Sequence, residues 1–314
     1  IDSEAEGVIT AGCAGGMRVF GEFPVNYSVR TLHSLRLTLN GLIGGHSGSE
    51  IHRNRINANA LMAQLLHGLQ KLSPVSLAAL NGGEKDNAIA NAASAVIAFA
   101  PENFIAVSEY LSDFKDTVIC DISKNEPDVK LDVENLGVGE IDSCDFAASE
   151  RFISAIYNLP NGVITMNPYI PGLVQTSTNL GIVRSDVSSV KLTFCLRSSD
   201  MSELDELRKR ISDTIVTFGG KASAGGAYPA WEYKTDSPLR DKAVESYTKV
   251  FGKPPKSEAI HAGLECGLFS AKIPELDCIS FGPDILDIHT VNEKLSVASA
   301  ERTYALLLDL LKNL

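Results

Sequence analysis

A period-2 segment, Leu35-Arg36-Leu37-Thr38-Leu39, runs into Gly41-Leu42-Ile43-Gly44-Gly45-His46-Ser47-Gly48 and then into an amphipathic helix. That succession constrains the chain more than any other stretch. Alternating apolar side chains make a half-buried strand. The segment after it is too rich in glycine to continue as strand or to form helix. Asn57 then caps a helix that carries Leu61, Leu65, Leu66, Leu69 and Leu72 on one face. A strand and a helix with one apolar face each are stable only when stacked in layers.

The rest of the middle repeats the theme. Gly82-Gly83 leads through Asn87 into an apolar strand around Ala93–Phe99, and Val163–Met166, Thr178–Val183 and Val190–Leu196 read as further strands. Leu204, Leu207, Ile211, Ile215 and Phe218 mark a second helix, closed by Gly219-Gly220. Residues 121–145 are the most polar stretch and read as a surface excursion. This order predicts an α+β sandwich with helices on one face of a mainly antiparallel sheet.

The last part differs. Asp236-Ser237-Pro238 starts a helix with Pro in its first turn. Cys278–Phe281 reads as a short buried strand, and a helix with Leu306, Leu307 and Leu310 ends the chain. Helix, strand, loop and helix are similar to the tail of an open α/β sheet. Functional residues of such sheets sit in loops beyond the strand carboxyl ends, where Asp284–Lys294 falls.

The formal charge is −11 with no Lys/Arg cluster, which argues against nucleic acid as a partner. No apolar run reaches the roughly 18 residues of a membrane span. Six scattered cysteines without a CxxC pair fit reduced thiols and a cytoplasmic location. The first residues, Ile1-Asp2-Ser3-Glu4-Ala5-Glu6, are acidic and resemble no signal peptide, and without an initiator Met the chain reads as starting in the middle of something.

Several residues could carry chemistry. His289, in the loop after Gly282-Pro283, is a metal ligand or a solvent-exposed loop histidine. Asp2 is one acid among Glu4 and Glu6. His46 lies among glycines, where backbone can approach a ligand, and it either caps the loop or serves a site. Arg197 ends an apolar strand as a surface cap or as a bidentate carboxylate clamp. His33, His52 and His67 lack such context and read as surface residues. Spacing alone stops at a two-domain α/β protein with a candidate site.

A series of motifs goes further. Asp2-Ser3-Glu4-Ala5-Glu6-Gly7, Gly12-Cys13-Ala14-Gly15-Gly16, Gly44-Gly45-His46-Ser47-Gly48-Ser49-Glu50-Ile51-His52 and Asn81-Gly82-Gly83 with Asn87-Ala88-Ile89 occur in order. Pro160-Asn161-Gly162-Val163, Thr176-Ser177-Thr178-Asn179-Leu180-Gly181, Gly226-Ala227-Tyr228-Pro229-Ala230-Trp231, His261 through Phe269, and Gly282-Pro283 with His289 follow. Together they resemble the bacterial aminoacyl-histidine dipeptidases, within the carnosinase/aminoacylase family of di-zinc metallopeptidases.

The resemblance implies an α/β fold: the C-terminal part of an open-sheet catalytic domain, with an inserted α+β lid. Residues 1–21 and 231–314 map to the catalytic domain and 22–230 to the lid. Asp2 maps to a ligand of one zinc and His289 to a ligand of the other. His46 maps to the lid residue that donates to the oxyanion. Asn87 and Arg197 map to residues that hold the scissile carbonyl or substrate carboxylate, and His261 and Glu265 to the active-site wall. The family's His-x-Asp, bridging Asp and Glu-Glu pair all precede the position of Asp2 and have no match here. Thr290-Val291-Asn292 also stands where the family more often has Ser-Pro-Asp. The resemblance therefore implies hydrolysis of Xaa-His and similar dipeptides by a two-zinc-activated water in the complete enzyme, with a homodimer allowed. These 314 residues alone are expected to retain no zinc and to be inactive. The alternatives are a non-catalytic lid-bearing fragment with an assembly or binding role, and a related tripeptidase or deacylase.

Overall fold

The computed structural model describes every residue except Asp2, Pro274, His289 and Thr290. In chain order the elements begin with β1 (Val8–Cys13), β2 (Gly15–Pro24), β3 (Tyr27–Asn40), β4 (Gly45–His46), α1 (Ala58–Gln70), β5 (Ser76–Gly82), β6 (Ala88–Ile89) and β7 (Ala93–Phe99). Next, α2 (Phe104–Phe114) runs through a π-helical turn into α3 (Cys120–Ile122). Then come β8 (Lys130–Cys144), α4 (Phe146–Asn158), β9 (Gly162–Met166), β10 (Val174–Ser185), β11 (Ser189–Ser198), α5 (Met201–Thr217) and β12 (Lys221–Tyr228). Last are α6 (Pro238–Phe251), β13 (Lys256–Ile260), α7 (Glu265–Lys272), β14 (Ile285–Leu286), β15 (Lys294–Leu295) and α8 (Val297–Asn313).

Local chemistry accounts for the helix ends. Asn57 Oδ1 accepts from the amides of Asn59 and Ala60 at the start of α1, and Leu61, Leu65, Leu66 and Leu69 are buried. Leu72 lies beyond the helix and is exposed, because the chain has already turned at Lys71. Asp200 caps α5, and Ser237 caps α6 ahead of Pro238, with Gly252 left-handed (φ 73°) at its end.

Nine strands form one antiparallel sheet in the order β12-β2-β11-β10-β5-β7-β3-β8, with β9 paired to β10. Two copies of one topology lie within it. The first, β3-α1-β5-β7-α2-β8, and the second, β2-α4-β10-β11-α5-β12, are each β-α-β-β-α-β units with the same spatial strand order. The first is inserted into the second, between β2 and α4. They join where corresponding strands β5 and β10 pair antiparallel, Gly82 with Val183 and Asn81 with Arg184. Helices α2, α1, α4 and α5 pack in a row along the sheet, and one core spans both units from Val19 to Ile215. β2 lies wholly in this sheet and crosses the expected division between residues 21 and 22.

A second, separate core joins Ile9 of β1 to Ala243 and Tyr247 of α6, Phe281, and Leu306 and Leu310 of α8. Here β1 pairs in parallel with β13. The expected strand at Cys278–Phe281 is a single antiparallel bridge, Ser280 to Thr10. The polar stretch at 121–145 is no excursion but contains β8, a 15-residue edge strand. Among the described residues it pairs only with β3, so most of its side chains face solvent and it could carry polar residues. His33 is not a surface residue either: it is buried between Phe99 and Phe104, with Nε2 2.8 Å from Asn135 Oδ1.

Candidate functional site

The β4–β6 ribbon sets His46 opposite Ala88, next to Asn87, and Ser47 donates its amide to the Asn87 carbonyl at 2.9 Å. His46 Nδ1 accepts from the amides of Gly48 (3.2 Å) and Ser49 (3.1 Å). Amide nitrogens can only donate, so Nδ1 is the acceptor and the neutral ring carries its proton on Nε2. Glu50 accepts the His46 amide at 2.9 Å and pairs with Arg53 and Arg55, which holds its carboxyl below the usual range. The loop thus fixes the tautomer as well as the position of the ring.

Arg197 comes to the same place from β11. A Cβ added to Gly48 would lie 3.0 Å from His46 Cε1, 3.1 Å from Arg197 Nε and 2.7 Å from the His261 carbonyl oxygen. Only glycine permits this approach, and three of the expected residues converge on it. Arg197 is buried and donates from Nη1 to the Tyr228 hydroxyl at 2.9 Å, while Nε has no hydrogen-bond partner among the described residues. Among the described residues no carboxylate lies within ion-pair distance of it. The expected choice between surface cap and carboxylate clamp therefore narrows, because the side chain is not at the surface.

His261 follows β13 and reaches across to the sheet, where its Nε2 lies 2.7 Å from Ser177 Oγ of β10. Burial first, and then the neighbouring Arg197 cation, push this imidazole down to about 3. Its Nδ1 is buried near the Val174 backbone and makes no well-formed hydrogen bond among the described residues. Glu265 is exposed in the first turn of α7, four residues beyond His261. The structure thus brings together His46, Asn87, Arg197 and His261, with Glu265 at the margin. Asp2 and His289 lie outside the described residues.

Tyr228 and Ser177 were not singled out from the sequence, although both stand in quoted motifs. The usable signal was Thr176-Ser177-Thr178-Asn179, four polar residues that are all buried in a central strand and so must meet partners. Among the described residues no group of three His, Cys, Asp or Glu side chains could hold a metal ion. These residues do not by themselves fit a metal centre. A separate cavity of about 640 Å³, lined by Tyr169, Leu173, Trp231, Tyr233 and Ile260 among others, shares none of the converging residues. Its walls lack convergent basic groups, so the cluster around Gly48 is the better candidate site.

Known proteins place this architecture. A profile described as the peptidase dimerisation domain matches residues 37–119, and that of peptidase family M20/M25/M40 matches residues 210–313. The cytosol non-specific dipeptidase of Escherichia coli (strain K12) is 33% identical over 317 residues, covering 100% of this chain and 65% of that protein. The crystal structure of aminoacylhistidine dipeptidase from Vibrio alginolyticus superposes with a TM-score of 0.92 at 31% identity, covering 100% of this chain and 64% of that one. The chain therefore spans just under two thirds of the length of these relatives. With both profiles in series and both relatives matched across the whole of this chain, the chain is similar to the peptidases of family M20.

Proposed function

We propose that these residues serve a dipeptidase that hydrolyses Xaa-His and similar dipeptides, with Arg197 holding the substrate's C-terminal carboxylate. The observation that supports this most is the buried Arg197 guanidinium, which has no carboxylate partner among the described residues and sits beside a His46 ring with its proton on Nε2. A buried cation without a counter-ion is costly, and an incoming carboxylate offsets that cost. A clamp for a free carboxylate favours cleavage beside a peptide's C-terminus over cleavage within a long chain. His46 Nε2 would donate to the oxyanion of the tetrahedral intermediate, a role worth about 3 kcal/mol where measured in other hydrolases. Asn87, anchored through its backbone to Ser47, would contact the scissile carbonyl or the carboxylate. The wall residues His261 and Glu265 complete the reading.

In this reading the complete enzyme uses two zinc ions, with Asp2 and His289 among the ligands, and works in the cytoplasm. The 314 residues alone would hold no di-zinc centre, because a catalytic zinc needs about three protein ligands. A second copy of the chain, assembled through the matched dimerisation domain, is part of the proposal.

The test is a panel of β-alanyl-His, Gly-His, a tripeptide and N-acetyl amino acids, run on this chain and on the product of the full open reading frame, with metal analysis of each. Dipeptide turnover and bound zinc are expected only for the full product. Preference for N-acetyl amino acids or tripeptides would overturn the substrate assignment. In the full product, His46→Ala should lower kcat by about a hundredfold with zinc retained. Arg197→Ala should raise KM for free-acid dipeptides far more than it lowers kcat.

A further inference from the structure

Arg197 is held by an unusual neighbour. The Tyr228 ring at the end of β12 lies against Gly16 of β2 and against Gly263 in the loop after His261. A Cβ on Gly16 would stand 2.5 Å from the Tyr228 hydroxyl oxygen, and one on Gly263 would stand 2.8 Å from ring carbon Cε2. Two positions thus lack a side chain where the phenol packs. Pro229 follows directly and disfavours a helical backbone at Tyr228, which holds the ring's base extended. Between these constraints the hydroxyl accepts the 2.9 Å bond from Arg197 Nη1.

The chemistry of that acceptor matters. An aspartate or glutamate here would orient the guanidinium more strongly but would cancel its charge and compete with a substrate carboxylate. A phenol orients without neutralising. Burial pushes the Tyr228 hydroxyl up, an effect Arg197 only partly opposes, so the group stays neutral near pH 7. On the opposite side Arg197 Nε is set against Gly48. The planar fork is therefore held at one Nη1 hydrogen, which restrains it from turning about its stem, while Nε is left toward Gly48.

We propose that Tyr228 is the positioning residue of the carboxylate clamp: it fixes the plane of the Arg197 guanidinium while leaving its charge available, and Gly16 and Gly263 make room for it. This rests on the carboxylate role of Arg197 given above, and the two can fail separately. The direct readout is the Arg197 Nε–H resonance in a proton–nitrogen NMR spectrum of this chain, assigned by its loss in Arg197→Lys. A held guanidinium gives a resolved, slowly exchanging signal. Tyr228→Phe keeps the ring and removes the hydroxyl, and it should speed exchange of that signal about tenfold, the equivalent of one ordinary hydrogen bond. In the full-length enzyme the same variant should raise KM for Gly-His about tenfold with kcat within twofold, and leave weak binding of Gly-His amide unchanged. An Arg197 signal and a KM both unmoved by Tyr228→Phe would overturn the proposal. If Arg197→Ala leaves binding of Gly-His intact, the carboxylate reading itself falls, whatever the NMR signal does.

Discussion

The two β-α-β-β-α-β units of the large sheet share a topology and divide the labour of the candidate site. The first unit contributes it from loops: His46 sits on the short β4–β6 ribbon outside the main sheet, and Asn87 in the turn just before β6. The second contributes it from strands: Ser177 on β10, Arg197 on β11 and Tyr228 on β12. Strand positions are fixed by ladders on both sides, as at Arg197, which pairs with Ser177 on one side and Gly16 on the other. Groups that must hold a charge in one orientation benefit from that rigidity, whereas a donor on a loop can approach and leave. The same topology has thus been used once as a frame and once as an arm. The division holds only if the units are mechanically one body, and three of the four measurements that follow probe that, in order from the largest expected effect downward.

The core says they are one body. Phe152 of α4 is fully buried, 6.5 Å from Phe23 of β2 between ring centroids, and α4 packs on α1 of the other unit. Phe152→Ala should cost about 4 kcal/mol. Unfolding followed by circular dichroism should remain a single transition, since the apolar cluster is continuous across both units. Two separated transitions would show that the units are independent and would break the comparison. The single Trp, buried Trp231, bridges to Cys13 of β1 and so reports on the part of the chain outside the large sheet.

Acid should loosen the contact between that smaller part and the second unit. His261 titrates near 3 in the folded chain and near 6.5 when unfolded, so below pH 6.5 the unfolded state takes up the proton that the folded state refuses. Stability from this group is full above pH 7, falls as pH drops through 6.5, and levels off below about 3. Between pH 7 and pH 4 the loss is roughly 3 kcal/mol. His261→Gln should flatten that limb in urea titrations at several pH values. An unchanged slope would mean that other groups set it.

How much of this was legible is clearest residue by residue. The caps Asn57, Ser237 and Gly252 could be read directly, because a cap is a local bond between neighbours in sequence. So could the strand Ala93–Phe99, whose bounds match β7. Helix α4 escaped notice even though Asp145 caps it and Phe152, Ile153 and Ile156 are spaced for one face. The repeat escaped too, since it lies in strand order and one copy interrupts the other. For the site, resemblance named His46, Asn87, Arg197 and His261, and the convergence of His46, Arg197 and His261 on Gly48, with Asn87 tied in through Ser47, required the fold. Tyr228 and Ser177 gain their roles only from partners 31 and 84 residues away.

The joint between the units rests on side chains more than on ladder bonds. Asn57 of the first unit uses Nδ2 to reach Asn179 Oδ1 (3.0 Å) and the Leu180 carbonyl (3.1 Å) of the second, while its Oδ1 caps α1. Asn57→Ala removes the cap and strands buried partners, so a loss of about 2 kcal/mol is expected in thermal or urea melts. Asn57→Asp retains the cap but not the donor, and should recover about half. Full recovery would place the whole cost in the cap and none in the joint.

The smallest effect belongs to the ion pair that ties the arm to the frame. Arg18 of β2 donates from Nε to Asp86, beside Asn87, and their side chains are 45% and 21% exposed. Exposed pairs of this kind contribute at most about 1 kcal/mol and are screened by salt. Asn179 also holds the loop independently, donating to the carbonyls of Asp86 (3.0 Å) and Ala88 (2.8 Å). Arg18→Ala should therefore leave the melting temperature within about 2 °C while raising local amide exchange at 84–88, because the loop keeps its backbone anchors and loses only a lateral tether. If global stability falls by several kcal/mol instead, this contact is part of the frame, and the separation between a strand-borne half and a loop-borne half of the site is drawn in the wrong place.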